Sequence, residues 1–224
     1  MKKGLTELVF ILDRSGSMSG LESDTIGGYN ALLEKQKKED GEAIVTTVLF
    51  DDKYELLHDR INLNGISPIT DQDYYVRGCT ALLDAVGKTI NKISNAQKHT
   101  LEEERAEKVL FVITTDGLEN ASREYSYDKI KEMVERQKTE YGWEFIFLGA
   151  NIDAVETAAS FGISADRAAN YHADSEGTQL NYDVISEAVC HFRADKTISP
   201  DWKASIDEDY KKRGKRKKRL EELS

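Results

Sequence analysis

Two aspartates and three hydroxyl side chains stand where this sequence could do chemistry. Asp13, Ser15 and Ser17 alternate in the run Asp13-Arg14-Ser15-Gly16-Ser17, directly after the apolar stretch Leu8–Leu12. Thr80 follows Arg77-Gly78-Cys79 and precedes an apolar helical stripe, and Asp116 stands in Thr115-Asp116-Gly117 after the apolar run Val109–Thr114. Oxygen donors without histidine or thiol select a hard cation, Mg²⁺ first and Mn²⁺ or Ca²⁺ next. Two carboxylates and neutral hydroxyls leave such an ion incompletely neutralised, so it can take one more acidic ligand from outside. Gly16 is expected to lend the first loop freedom in φ. Each piece also has a plainer reading: D-x-S-x-S and Thr80 as turn or helix N-cap, Asp-Gly as a turn. All three pieces following the right elements make a metal site the better reading.

Other chemistries find less support. Phosphoryl-transferring folds with an aspartate after the first strand usually need a second acid two positions on, where this chain has Ser15. No GxxxxGK[ST] run and no G-x-S-x-G elbow occurs. His58, His99, His172 and His191 are scattered without ligand spacing. Cys79, beside Thr80, has no His–acid pair placed near it by sequence. The chain is therefore expected not to be an enzyme; a metal-assisted phosphohydrolase stays as the alternative.

The elements that must position these residues alternate along the chain. Leu8–Leu12 reads as a buried strand, Ile26, Tyr29, Leu32 and Leu33 as one face of a helix, and Ala43–Phe50 as a β-branched strand. Tyr54–Leu63 is its expected antiparallel hairpin partner at a sheet edge, and residues 64–79 read as loop. Leu82, Val86, Ile90 and Ile93 mark the next helix, before strand Val109–Thr114. A helix through Ile130, Met133 and Val134, strand Phe145–Leu148, a short helix near Asp153–Ser160 and a weak strand around Arg167–Tyr171 follow. Leu180 to Phe192 carries the last stripe. This order predicts an α/β fold: a doubly wound, mostly parallel sheet with helices on both faces. In such sheets the ligand crevice lies beyond the carboxyl ends of the strands, where the strand order reverses; the Asp13 and Asp116 loops follow strands directly, and the loop that delivers Thr80 to the start of the next helix can share the same end of the sheet.

Over roughly residues 5–195 the order of elements, with Asp13-x-Ser15-x-Ser17, Thr80 in Gly-Cys-Thr-Ala-Leu and Asp116 in Thr-Thr-Asp-Gly, resembles a von Willebrand factor A domain of the small intracellular type. The five residues resemble its metal-ion-dependent adhesion site. The resemblance implies a Rossmann-like fold with one antiparallel edge strand. It also implies that Ser15, Ser17 and Thr80 contact the metal directly, that Asp13 and Asp116 do so directly or through water, and that a partner's Glu or Asp completes the shell. Intracellular members of that family act as adapters, which makes a metal-dependent protein-binding module the expected function. Two departures stand out. Arg14 can point toward a partner's acid or into solvent, and Cys79 precedes the threonine where a smaller residue is more usual. Asp71–Tyr75 and Glu119-Asn120 are expected to rim the same face.

Composition bounds the rest. The 224 residues are 39% hydrophobic and 32% charged, with a net charge of −10, which suits a globular chain. No apolar run approaches the ~20 residues of a membrane span, and the amino-terminal stretch lacks the apolar length of a secretory signal. Two cysteines do not make a disulfide scaffold, so a cytoplasmic location is expected. The globular domain is expected over residues 1–195 and a polar extension over 196–224. Within that extension Lys211–Arg219 reads KKRGKRKKR and holds eight of the 31 basic residues. A solvated tail is the plainer reading of this run, and contact with nucleic acid or another acidic surface is the alternative.

Overall fold

Alternation along β1 (Lys2–Asp13) sorts the core into two halves. Leu8, Phe10 and Leu12 belong to one apolar cluster, Val9 and Ile11 to the other, as a strand covered on both faces requires. The computed structural model describes residues 1–195 and 197–221. The remaining elements are α1 (Glu22–Gln36), β2 (Glu42–Phe50), β3 (Tyr54–Asn62), α2 (Leu82–His99), β4 (Ala106–Asp116), α3 (Tyr127–Tyr141), β5 (Glu144–Ala150), α4 (Ala154–Ser160), β6 (Ala168–Tyr171), α5 (Ser175–Asp195) and α6 (Ala204–Glu221). The sheet runs β3-β2-β1-β4-β5-β6, parallel throughout except for the β2–β3 hairpin. The expected Rossmann-like α/β architecture, with its antiparallel edge strand, is the one observed.

Helices α1 and α5 cover the face that buries Leu8 and Phe10, while α2, α3 and α4 cover the other. β1 is longer than its apolar run. It begins at Lys2 because Lys2 and Thr6–Leu12 pair with β4, and because Thr6 and Glu7 are buried although polar. Glu7 is held there by Arg60 from β3 at 2.7 Å and by Gln97 from α2. Such a buried acid gives no apolar signal in the sequence.

Composition places a boundary near residue 195, but packing runs across it. Ile198 and Ile206 enter the α1/α5 side of the core, and the Trp202 indole donates to Asp166 O at 2.8 Å. α6 lies against β6, a four-residue edge strand that this contact covers. Of the basic run, Lys211 and Lys212 are exposed on α6; its side chains from residue 215 onward lie outside the described residues. No helix among the described residues is long and apolar enough to cross a membrane.

Candidate functional site

The strand order reverses at β1, which has β2 on one side and β4 on the other. The C-terminal ends of β1 and β4 therefore border the crevice where open α/β sheets bind ligands. Leu12 pairs with Thr114, so Asp13 comes level with Thr115 and Asp116. The Asp13 carboxylate ties the two ends together. Its Oδ1 accepts from Ser15 N at 2.7 Å, closing an Asx-turn, and its Oδ2 accepts from Thr115 Oγ1 at 2.7 Å and Asp116 N at 3.2 Å.

The structure brings all five sequence-derived residues to this point. Ser15 Oγ lies 3.1 Å from Ser17 Oγ, and Thr80 Oγ1 donates to Ser15 Oγ at 3.0 Å. Gly117, at φ +148°, passes so close that a Cβ there would sit 3.1 Å from Ser17 Oγ and 3.7 Å from Thr80 Oγ1. A side chain there would be strained by that φ and would have to push Ser17 aside. Asp13, Ser15, Thr80 and Asp116 are buried. Asp116 Oδ1 accepts from Asn151 Nδ2 at 2.5 Å, whereas Asp116 Oδ2 is buried with no hydrogen-bond partner among the described residues. Burial pushes both carboxyls above the ordinary carboxylate range; hydrogen bonds from Thr115 and Ser15 oppose this at Asp13, and the Asn151 bond opposes it at Asp116. Among the described residues no group of three or more His, Cys, Asp or Glu is placed to hold a metal, so this oxygen set draws on hydroxyls.

Thr80 caps nothing: the residue at the N-cap of α2 is Ala81, with no side-chain cap. Glu119 and Ser122 do that work, accepting from Leu83 N at 2.9 Å and Asp84 N at 3.0 Å. The Asp13 loop does not cap α1 either, whose N-cap is Leu21. Gly16 departs from expectation. Its φ is not left-handed; it matters as a close passage, with its N donating to Gly78 O at 3.1 Å. Arg14 points neither to a partner nor to solvent, because its side chain is fully buried against Asp51. Of the expected rim, Tyr74 is buried and donates to Asp13 O at 2.5 Å. Asn120 braces Thr80, whose N donates to Asn120 Oδ1 at 2.9 Å.

Thr115 and Asn151 escaped the sequence reading, and Tyr74 was expected only on the rim. Asn151 left one trace: it follows the apolar run Phe145–Leu148 by three residues, at the same end of the sheet as the other polar loops. Beside Thr80 opens a groove of about 620 Å³, bordered by Gly78, Cys79, Ala81, Asp84 and Ser122.

No protein-family model matches the sequence, and no curated protein is detectably similar to it. Solved structures are. Proximal thread matrix protein 1 from the mussel byssus, with a zinc-occupied MIDAS motif, superposes with a TM-score of 0.56 at 13% identity, over 83% of this chain and 46% of that one. Manganese-loaded Plasmodium vivax TRAP gives 0.54 at 17% identity over 80% and 72%. The pilus adhesin SpaC from Lactobacillus rhamnosus GG gives 0.63 at 10% identity over 85% and 30%. A von Willebrand factor type A structure from Catenulispora acidiphila gives 0.54 at 11% identity, over 83% and 42%. The fold is that of a von Willebrand factor A domain. The chain spans less than half the length of the mussel protein it matches. In this von Willebrand factor A fold the five oxygen-bearing residues occupy the crevice at the reversal of strand order.

Proposed function

We propose that the chain is a metal-dependent protein-binding module, an adapter of the small intracellular type. In this reading Asp13, Ser15, Ser17, Thr80 and Asp116 hold a divalent cation, Mg²⁺ in the first place, as a metal-ion-dependent adhesion site. The cation supplies Lewis acidity toward a carboxylate offered by a partner's Glu or Asp. The observation that carries the reading is Asp116 Oδ2, a buried carboxylate oxygen without a hydrogen-bond partner among the described residues, on the loop whose Gly117 passes against Ser17 and Thr80. Hydrogen bonding alone brings hydroxyls to 3.0–3.1 Å; it does not explain the orphaned oxygen, whose burial costs free energy unless something positive meets it. The spacing suits the ion as well, since adjacent ligands of an octahedron with Mg–O of ~2.1 Å are about 3.0 Å apart. Zinc- and manganese-loaded structures among the neighbours agree with a divalent cation.

Asp13, whose two oxygens already accept hydrogen bonds from Ser15, Thr115 and Asp116, would meet the cation through water. The groove beside Thr80 gives room for residues flanking the partner's acid. A reducing compartment such as the cytoplasm suits the two unpaired thiols, Cys79 and Cys190. Calorimetric titration with Mg²⁺ tests the reading. Wild type is expected to bind one ion and Asp116→Ala to lose at least about tenfold in affinity, in the range found when metal-site groups are removed. Equal affinity in the two proteins would refute it.

A further inference from the structure

Thr80 reaches the site on residues 66–81, a stretch containing neither helix nor strand, so no backbone ladder fixes its hydroxyl. Contacts from both sides of the site converge instead on Asp51, the residue after β2. Asp51 Oδ2 accepts from Arg14 Nε at 2.9 Å and from Arg77 Nε at 2.6 Å. Its carbonyl accepts from Ala81 N at 2.9 Å, and its Oδ1 accepts from Lys53 N at 2.7 Å. Arg14 lies between Asp13 and Ser15, Arg77 three residues before Thr80, and Ala81 immediately after it. Arg77 N also donates to Arg14 O at 2.9 Å. The Asp51 and Arg14 side chains have no solvent exposure. Glu55 takes Arg14 Nη2 at 2.6 Å, and the Tyr75 ring lies over both guanidiniums, 5.4 and 5.2 Å from its centre.

We propose that Asp51 and Arg77 are positioning residues for the metal site, a buried carboxylate gripped by two guanidiniums that sets the separation of the Ser15 and Thr80 hydroxyls. The inference rests on the metal-binding reading above. Charge-assisted bonds of this kind are short and directional, and both guanidinium Nε atoms converge on the same carboxylate oxygen, so neither loop moves without straining the other. Arg14 and Arg77 thereby fasten the Ser15 loop and the Thr80 loop to one fixed point at the end of β2. Lysine cannot replace Arg77 fully, because its single ammonium lacks the fork that also reaches Tyr75 Oη at 3.0 Å.

The test measures Mn²⁺ affinity of the full chain by the electron paramagnetic resonance signal of the free ion, together with the melting temperature. Arg77→Met and Asp51→Asn are expected to weaken Mn²⁺ binding about tenfold or more, with Arg77→Lys intermediate. Arg60→Met is the control: it removes a comparable ion pair, to the buried Glu7, in another part of the sheet. It is expected to lower the melting temperature while leaving Mn²⁺ affinity unchanged. Affinity within about twofold of wild type in both Arg77→Met and Asp51→Asn would overturn the positioning role and leave the metal site standing. Equal weakening by Arg60→Met would overturn it too, by reducing the effect to general stability. A wild-type chain that binds no Mn²⁺ would overturn both readings. Should Asp51→Asn fail to fold, Arg77→Met carries the test, since the Arg77 side chain is 36% exposed.

Discussion

At the residue scale, Asp13 and Asp116 have different jobs despite matching chemistry. Asp13 accepts three hydrogen bonds and so fastens β1 to β4, while Asp116 has one partner and one orphaned oxygen. In metal-free buffer Asp13→Ala is expected to cost about 1–3 kcal/mol, because it leaves buried donors unmet. Asp116→Ala is expected to cost clearly less. Urea unfolding in the presence of a chelator checks the ranking, and equal losses would contradict it. That Asp13, Ser15, Ser17, Thr80 and Asp116 meet was legible in the sequence, because their types and their places after the apolar runs carry the signal directly. Thr115 and Asn151 were not, and Tyr74 was legible only as part of the rim. Each acts through a hydrogen bond to a residue far away in sequence, and nothing local marks a tyrosine that will donate to Asp13 O or an asparagine that will meet Asp116.

At the element scale, the first turn of α2 depends on residues 36 and 38 positions further along the chain. Glu119 takes Leu83 N and Ser122 takes Asp84 N, which leaves Thr80 free of capping duty and able to face the site. Glu119→Ala is expected to destabilise the chain by about 1 kcal/mol, the usual worth of a cap, and to weaken metal binding as Thr80 loosens. A melting curve and a metal titration of the same variant check both parts. Burial pushes the Glu7 carboxyl above its ordinary range, against the opposing pull of Arg60. A carboxyl raised in the folded state favours folding below its unfolded value near 4.5 and loses that contribution as pH rises through the folded value. Wild type is therefore expected to lose stability relative to Glu7→Gln as pH rises from about 4.5 toward neutrality. Denaturant unfolding across that range checks it, and a constant difference would contradict it. Strands were readable wherever they were apolar; the polar start of β1 was not, because pairing with β4 rather than hydrophobicity makes it a strand.

At the scale of the whole molecule, strand–helix alternation sufficed to read the doubly wound sheet and its antiparallel edge, and hence to bring three distant loops to one crevice. The role of the segment after residue 195 was hidden, because Ile198, Trp202 and Ile206 are too sparse to raise an apolar signal against their charged neighbours. Yet Ile198 and Ile206 are buried and α6 covers β6. Ile206→Ala is expected to cost about 2–5 kcal/mol, as for other buried aliphatic truncations; urea unfolding checks it, and a loss below about 0.5 kcal/mol would show that α6 is not docked. The central claim is that oxygens from the Asp13, Thr80 and Asp116 loops grip one divalent cation. Anomalous scattering from a crystal soaked in Mn²⁺ addresses it most directly. The expected result is one strong peak within coordination reach of the Ser15, Ser17 and Thr80 hydroxyl oxygens and beside Asp116. A fully soaked crystal with no peak there, or with its strongest peak on other residues, would contradict it.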